Sequence, residues 1–426
     1  DQLLEGTRPL LIAPGLRSPG QNALRRALFA LLPYPQRLRS LLKVLRGYGG
    51  SPLQKLVQAS GVLKLGGGSL AAMEQLLPAP RPAGVRDALR VRLPRAEGPV
   101  GRRLQARGRE PRLLPSTVRS ATLAGYVAGG SSGIGSLRWG FLRDPGHLLG
   151  LELVTMEPQP RLLQLGSAAA AAINHAYGCN GIITALTMAS AAAVPWIQLV
   201  LEFAQWDQAL AAAQRLPAMA LVLQSLCLLE APLAARLPWP QGCPAASGQG
   251  HRLLLLAAPD ALPVLEPLLP QLGGALLWQA PQGQSRGIPL RELTWNHTTL
   301  HARAQEPGFT YLQLLLPQPE GPALAALRQR WGGDLLWHLE GVRGFGQQRL
   351  ACLPLVRWRG RTALQQLIDH ALELGCVLFN PHAITVEEGG LGTVDADQVA
   401  AKAAYDPAGL LNPGKLRGWS ERPSAQ

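Results

Sequence analysis

The chain has 426 residues, with 41 Lys+Arg against 27 Asp+Glu and a formal net charge of +14. Residues 1–112 hold 20 Lys+Arg and 6 Asp+Glu, whereas residues 113–426 hold 21 of each, so the whole excess lies in the first quarter. The high pI is therefore local, and a nucleic-acid partner is not expected for the balanced remainder.

The start, Asp1-Gln2-Leu3-Leu4-Glu5, has neither a charged n-region nor a cleavage site, so no secretion signal is expected and the cytoplasm is the expected location. Residues 1–80 read as a basic helical leader. Ser18-Pro19 caps a helix with an apolar face at Ala23, Leu24, Ala27, Leu28, Leu31 and Leu32, broken by Pro33-Tyr34-Pro35. Leu38, Leu41, Leu42 and Leu45 form a second face opposite Arg37, Arg39, Lys43 and Arg46. Ser51-Pro52 starts a third helix through Leu56 and Val57, and Ser69 caps a fourth with Met73, Leu76 and Leu77. The basic faces at 22–46 suit docking on a partner; peripheral association with an anionic membrane surface is the other use of such a face. Residues 81–112 hold ten arginines, and 81–104 reads as an Arg/Pro-rich linker.

Residues 115–153 crowd small and hydroxyl side chains: Pro115-Ser116-Thr117, Thr122, Gly125, Gly129-Gly130-Ser131-Ser132-Gly133, Arg138-Trp139-Gly140. Glycine lets peptide N–H groups approach a large ligand with no Cβ in the way. Gly129 to Gly135 also looks like the glycine fingerprint of short-chain dehydrogenases. That family needs a Tyr-x-x-x-Lys pair, and none of the six tyrosines (34, 48, 126, 177, 311, 405) has a lysine four residues on. Between Arg161 and Glu202 no residue is charged, but Asn174, His175, Gly178, Asn180, Gly181 and Pro195 divide the span into strands and loops of a buried core rather than a membrane helix.

From 193 to 376 strands and helices alternate. Strands are expected at 196–203, 220–229, 252–257, 275–279, 310–316, 335–342 and 350–358, and helices at 206–215, 262–272, 322–331 and 362–374. An antiparallel sheet with helices on one face, an α+β class, fits this order. Trp295-Asn296-His297-Thr298-Thr299-Leu300-His301 gathers an aromatic ring, an amide, imidazoles and hydroxyls in seven residues, read as strand or loop. The cysteines at 179, 227, 243, 352 and 376 are never close in sequence. Iron–sulfur clusters need closely spaced thiolates, so none is expected, nor does any His/Cys/Asp/Glu spacing suggest zinc. Buried small residues in a reducing compartment fit them. Glu387-Glu388 reads as a loop pair.

Three segments together resemble the FAD-linked oxidase superfamily (the vanillyl-alcohol-oxidase or PCMH type): 115–153, the Gly178-Cys179-Asn180-Gly181-Ile182-Ile183-Thr184 strand, and the Asp406-Pro407-Ala408-Gly409-Leu410-Leu411-Asn412-Pro413-Gly414-Lys415 ending. Pro381-His382-Ala383-Ile384-Thr385-Val386 and Asp395-Ala396-Asp397-Gln398 are similar to the FAD-binding subunit of glycolate oxidase. The likeness covers 105–419. It implies a partial FAD-binding domain at 105–192, an antiparallel cap at 193–376, and a segment at 377–426 that returns to the FAD domain. The implied cofactor is FAD. The implied reaction is oxidation of a small 2-hydroxy acid such as glycolate, with electrons leaving to an iron–sulfur subunit. Implied FAD contacts are Pro115, Ser116, Thr117, Thr122, Gly125, Gly130, Ile183, Asn412 and Lys415. His382, where the chain returns to the flavin ring, and His297 are the candidate bases, since the substrate wall must take a proton while hydride leaves. Ala124 and Tyr177 depart from the pattern, which favours glycine and an acid there. Leader motifs at 8–80 (Leu16-Arg17-Ser18-Pro19-Gly20, and the run Leu31-Leu32-Pro33-Tyr34-Pro35) resemble the helical segment between domains of the glycolate oxidase iron–sulfur subunit. The first flavin subdomain, with its Pro-x-Gly-Gly-Gly loop, has no clear counterpart; Gly66-Gly67-Gly68-Ser69 is the nearest stretch. The alternative is a non-catalytic interaction subunit, or a truncated or chimeric product that no longer holds FAD.

Overall fold

A computed structural model of the chain describes residues 52–60, 99–130, 132–344, 346–390 and 392–420. The chain divides into two units, Asp1–Arg90 and Val91–Gln426. In the first unit, helix α1 (Pro52–Ser60) starts at the expected Ser51-Pro52. The other leader helices and the 81–98 part of the linker lie outside the described residues.

The second unit opens with α2 (Pro99–Gln105), β1 (Arg109–Pro111) and α3 (Leu123–Gly129). Thr122 starts α3 by accepting the Gly125 N–H at 3.0 Å, satisfying one of the orphan donors of the first turn. Gly130 (φ 67°) ends it in the left-handed conformation, its N–H donating to the Tyr126 carbonyl. Strands β2 (Leu148–Val154), β3 (Leu162–Gly166) and β4 (Ile182–Met188) follow, then β5 (Ser190–Ala192), which pairs with β1. β2 lies between β3 and β4, all antiparallel, with Leu153 opposite both Leu163 and Ile183. The two-residue period of a strand turns Leu151, Leu153 and Ile183 into a core with Tyr126 and Val127 of α3, and leaves Leu162 and Ile182 exposed on the other face. The uncharged 162–201 span is thus strands, loop and a short helix, and no described helix is long and apolar enough to cross a membrane.

The cap runs β6 (Ile197–Phe203), α4 (Trp206–Arg215), β7 (Leu223–Leu229), β8 (His251–Ala257), α5 (Leu262–Leu268), β9 (Gly274–Pro281), α6 (Asn296–Gln305), β10 (Phe309–Tyr311), β11 (Leu314–Leu315), α7 (Glu320–Trp331), β12 (Leu335–Leu336), β13 (His338–Gly344), β14 (Gln347–Cys352), β15 (Leu355–Arg357), α8 (Arg361–Glu373) and β16 (Val377–Leu378). Eight of these strands form an antiparallel sheet in the order β16-β11-β14-β13-β7-β8-β6-β9. Leu199, Leu201 and Phe203 pack on α4, α5, α7 and α8, while Val200, Cys227 and Leu254 face Leu290, Leu293 and Ala302 of α6. Helices therefore cover both faces rather than one, which is why β6, β7 and β8 read as almost unbroken apolar runs.

Three expected strands are each cut in two. β10, β15 and β12 form a separate three-stranded sheet, while their sequence neighbours β11, β14 and β13 stay in the large one. Each chain segment changes sheets at the break, and Pro354, which has no N–H to give a ladder, sits at one of them. The expected 262–272 helix stops at Leu268 and tightens through Pro270, whose missing N–H ends the α ladder. After the cap comes α9 (Ala396–Tyr405), capped by the Asp395 carboxylate, which accepts the Asp397 and Gln398 N–H groups, and a single helical turn, Arg417–Ser420, follows it.

Candidate functional site

The stretch Ala176–Asn180 is where the three resembling segments meet. The His175 N–H donates to Val127 O (3.0 Å) and the Tyr177 N–H to Ala128 O (2.9 Å), which ties the loop to the end of α3. The Asn412 amide donates to Tyr177 O at 2.5 Å. Lys402, on α9, is 2% exposed and donates to Cys179 O (2.9 Å), Leu411 O (2.8 Å) and the buried Asp406 carboxylate (2.5 Å). Asp406 in turn accepts the Leu410 and Leu411 N–H groups. Asn180 bridges Ala172 O and Gln398 O, both at 3.0 Å. Glu387, read from the sequence as a loop acid, is buried and accepts the Arg417 and Gly418 N–H groups, fastening the end of the chain. His175 (φ 62°), Tyr177 (φ 50°) and Asn412 (φ 42°) are three of the four described non-glycine residues with positive φ. Such strain persists only where surroundings enforce it, and it gathers at functional sites.

Within electrostatic reach of Tyr177 lies a polar cluster drawn from the cap and from the segment that follows it. A Cβ added at Gly389 would sit 2.9 Å from the Tyr177 hydroxyl, so that phenol rests over bare main chain. Tyr311 lies within electrostatic reach of Tyr177 and of Arg303; burial pushes its phenol up to about 12. His382 Nε2 lies 2.9 Å from Tyr311 O and 3.2 Å from Thr310 Oγ1. A carbonyl only accepts, so that bond puts the ring proton on Nε2 and leaves Nδ1 as the basic nitrogen. Burial holds His382 below the ordinary histidine value; the bond to Tyr311 opposes this and the Arg303 charge adds to it. Gln313 donates to Asn296 (3.3 Å). Arg303 Nε is buried with no protein partner.

The candidate residues fall in several places. Pro115, Ser116 and Thr117 form the turn after the Leu114–Ile134 bridge; the Ser116 main chain lies against Gly133, and Thr117 O accepts from Ser120 and Ala121. Gly125 is exposed on the first turn of α3. The left-handed bend at Gly130 is taken up by His175, whose Cβ lies 2.2 Å from where a Gly130 Cβ would be. Ile183 packs into the small core. Asn412 joins Tyr177, and the Lys415 carbonyl accepts the Val386 N–H. His297 is on a helix, not a strand or loop: its Nδ1 meets Glu292 at 2.7 Å, and Arg119 meets the same carboxylate at 3.6 Å. α6 therefore splits the 295–301 constellation. Asn296 and Arg303, seven residues apart and so on one helical face, serve the His382 cluster, while His297 turns to Glu292. Arg303, Tyr311 and Gln313 were missed in the sequence; helical phasing from Asn296 was the signal available for Arg303. Four cysteines are buried and Cys243 is half-buried.

The glycine run 129–135 follows a helix rather than a strand and leads into a single turn, 136–139. The strand–glycine–helix setting of a nicotinamide fingerprint is not present there.

In the comparisons with solved structures, two crystal forms of alkyldihydroxyacetonephosphate synthase match, with TM-scores of 0.54 and 0.53 and 14% identity in each case. They cover 74% of this chain, which spans only 61% and 62% of theirs. Over that share of the chain the fold is that of these synthases. Residues 20–77 match the family model of the glycolate oxidase iron–sulfur subunit, linker region. No curated protein matches by sequence. The resemblance in the sequence implies a flavin, and two glycines bear on whether one could be held. Added Cβ atoms at Gly129 and Gly414, which belong to two of the converging segments, would meet open space. Neither glycine therefore obstructs a flat ligand laid against its main chain, which is the property a flavin wall needs.

Proposed function

We propose that the chain is an FAD-dependent oxidoreductase that oxidises a small, glycolate-like 2-hydroxy acid and hands electrons to a partner iron–sulfur subunit. The observation that carries this reading is the juncture at Tyr177: main-chain-lined segments together with His382, Tyr311 and the partnerless Arg303 Nε. FAD is assigned to the wall of Pro115, Ser116, Thr117, Thr122, Gly125, Gly130, Ile183, Asn412 and Lys415, and when bound it supplies the hydride acceptor.

The protein's own groups do the rest. Arg303 binds the substrate carboxylate; a guanidinium is the best matched side chain for it, and its buried Nε gains the partner it lacks. His382, held neutral by burial, takes the hydroxyl proton at Nδ1. The phenols of Tyr177 and Tyr311, kept protonated, orient the hydroxyl and exclude water. His297, tied to Glu292, is left with a structural role. The match of residues 20–77 to an iron–sulfur subunit's linker supports a partner of that kind, with the basic leader as the docking element in the cytoplasm.

A second reading has its own support, because the chain spans less than two thirds of the synthases and its leader matches a different kind of subunit. In that reading it is an interaction subunit that holds no flavin. Visible flavin absorption of the purified protein, with bleaching on anaerobic addition of glycolate, is the expected result. A folded, colourless protein that takes up no added FAD but still captures an iron–sulfur subunit would establish the second reading instead.

A further inference from the structure

Under the start of α6, on the sheet face it covers, three side chains with ligand atoms are fully buried together. Glu340 on β13 is register partner to Cys227 on β7, and His338 lies two residues before Glu340, on the same face of its strand. All three are 0% exposed, and a ligand atom from each lies within 4.8 Å of the other two. Among the described residues no other group of three such side chains meets that test.

The polar bookkeeping there is unbalanced. Glu340 Oε1 is used twice, by the Trp295 N–H at 2.6 Å and by His338 Nε2 at 2.7 Å. Glu340 Oε2 and His338 Nδ1 are buried and accept from or donate to no N–H or O–H group of the protein; the Cys227 thiol is the group hydrogen-bonded to that carboxylate. Leaving such groups unsatisfied is destabilising, so native structures fill the deficit with water or an ion. Trp295, the fourth non-glycine residue with positive φ (53°), adopts that backbone where its N–H meets Glu340.

We propose that Cys227 Sγ, a ring nitrogen of His338 and a Glu340 carboxylate oxygen bind one divalent transition-metal ion, zinc by its donor set. Sulfur, imidazole and carboxylate together suit zinc over magnesium or calcium, which take oxygen. On binding, the Cys227 thiol gives up its proton to solvent and the thiolate binds the ion. The ion would hold the strand pair to the start of α6. Its role is structural, and it is separate from the flavin reading.

The test uses the whole protein, stripped with chelator and titrated with Co²⁺. One equivalent of cobalt per chain, with a thiolate-to-cobalt charge-transfer band, is expected. Cys227→Ser should abolish the band, and Glu340→Gln should weaken uptake roughly tenfold or more. Should either variant fail to fold, X-ray absorption of the zinc-loaded wild-type protein decides. One sulfur at ~2.3 Å with nitrogen or oxygen at ~2.0–2.2 Å supports the site. Folded wild-type protein that binds no cobalt or zinc, a zinc shell without sulfur, or a band that survives Cys227→Ser would overturn it.

Discussion

The cap sheet and the Ala176–Asn180 juncture are held together by different physics. In the cap, Leu199, Leu201, Phe203, Leu226, Leu228, Leu253 and Leu255 interlock over helices. At the juncture few apolar side chains are buried; Cys179, Val386 and Leu416 form a small cluster. Instead, single polar groups each hold several main-chain atoms. Non-directional burial tolerates exchange of like for like, whereas a polar hub fails when one atom is lost.

Lys402 is the sharpest place to break that contrast. Replacing it with methionine keeps the length but leaves the Asp406 carboxylate buried without its cation. Removing one partner of a buried pair costs about 3–5 kcal/mol. Leu201→Ala in the cap should cost about 2–5 kcal/mol, with the loss spread through the sheet. Urea unfolding gives the totals, and hydrogen exchange gives the location. The Lys402→Met loss should appear as faster exchange at 176–180 and 406–415. A cost below about 1 kcal/mol would show that Lys402 does not hold the juncture, and exchange raised uniformly would show that the juncture is no different from the cap.

Next in size is Arg303, which belongs to the cap by sequence and to the substrate site in the function proposed above. Its Nε makes no protein bond, so Arg303→Lys should leave thermal stability within about 0.5 kcal/mol of wild type. Loss of a matched carboxylate contact should lower kcat/KM for glycolate about 100-fold, and weaken binding of the non-oxidisable dicarboxylate oxalate in parallel. Unchanged oxalate affinity would remove Arg303 from the substrate site.

The same contrast governs what could be read from the sequence. β6, β7, β8 and α4 announce themselves, because two-residue and 3.6-residue apolar periods are written directly in Leu199-Val200-Leu201 and in Ala209, Ala212 and Ala213. The FAD-type resemblance marked three segments, and those do adjoin one another. The bonds that join them are not periodic. Nothing local in Glu387 or Lys402 says that it will reach main chain 30 or 223 residues away. Arg303 was invisible because the 295–301 run was read without its helix, and the face a residue takes depends on that. Strands 310–316, 335–342 and 350–358 were legible as strands, but not their break between two sheets, which is decided by neighbours remote in sequence.

His175 gives the juncture a pH dependence. Burial lowers its pKa from 6.5 to about 4, with the Arg143 charge adding to this and Asp395 opposing it. As pH falls below 6.5 the unfolded chain takes up this proton first, while the folded chain resists until about 4. Stability is therefore fully present above 6.5, declines through that window and levels off below about 4. The gap amounts to about 3 kcal/mol. His147, His251, His301 and His382 are also lowered by burial and add the same sign. His175→Asn, which suits the left-handed backbone, should flatten melting temperature against pH between 6.5 and 4 relative to wild type. Parallel curves would mean that His175 is solvated.

The smallest effects come from two adjacent glycines with opposite expectations. Gly130 has φ 67°, and a Cβ there would enter His175, so Gly130→Ala should destabilise by about 1–2 kcal/mol from backbone alone and more from the clash. Gly129 is the last residue of α3, and a Cβ there meets open space, so Gly129→Ala should stabilise by about 0.5–1 kcal/mol through helix propensity. The two melts test the local geometry without reference to any ligand. Flavin content of Gly129→Ala then asks a separate question. If the open space beside Gly129 belongs to the cofactor wall, this more stable variant should copurify with less FAD than wild type. Greater stability with undiminished flavin would place the cofactor elsewhere, and would leave the end of α3 as packing for His175 alone.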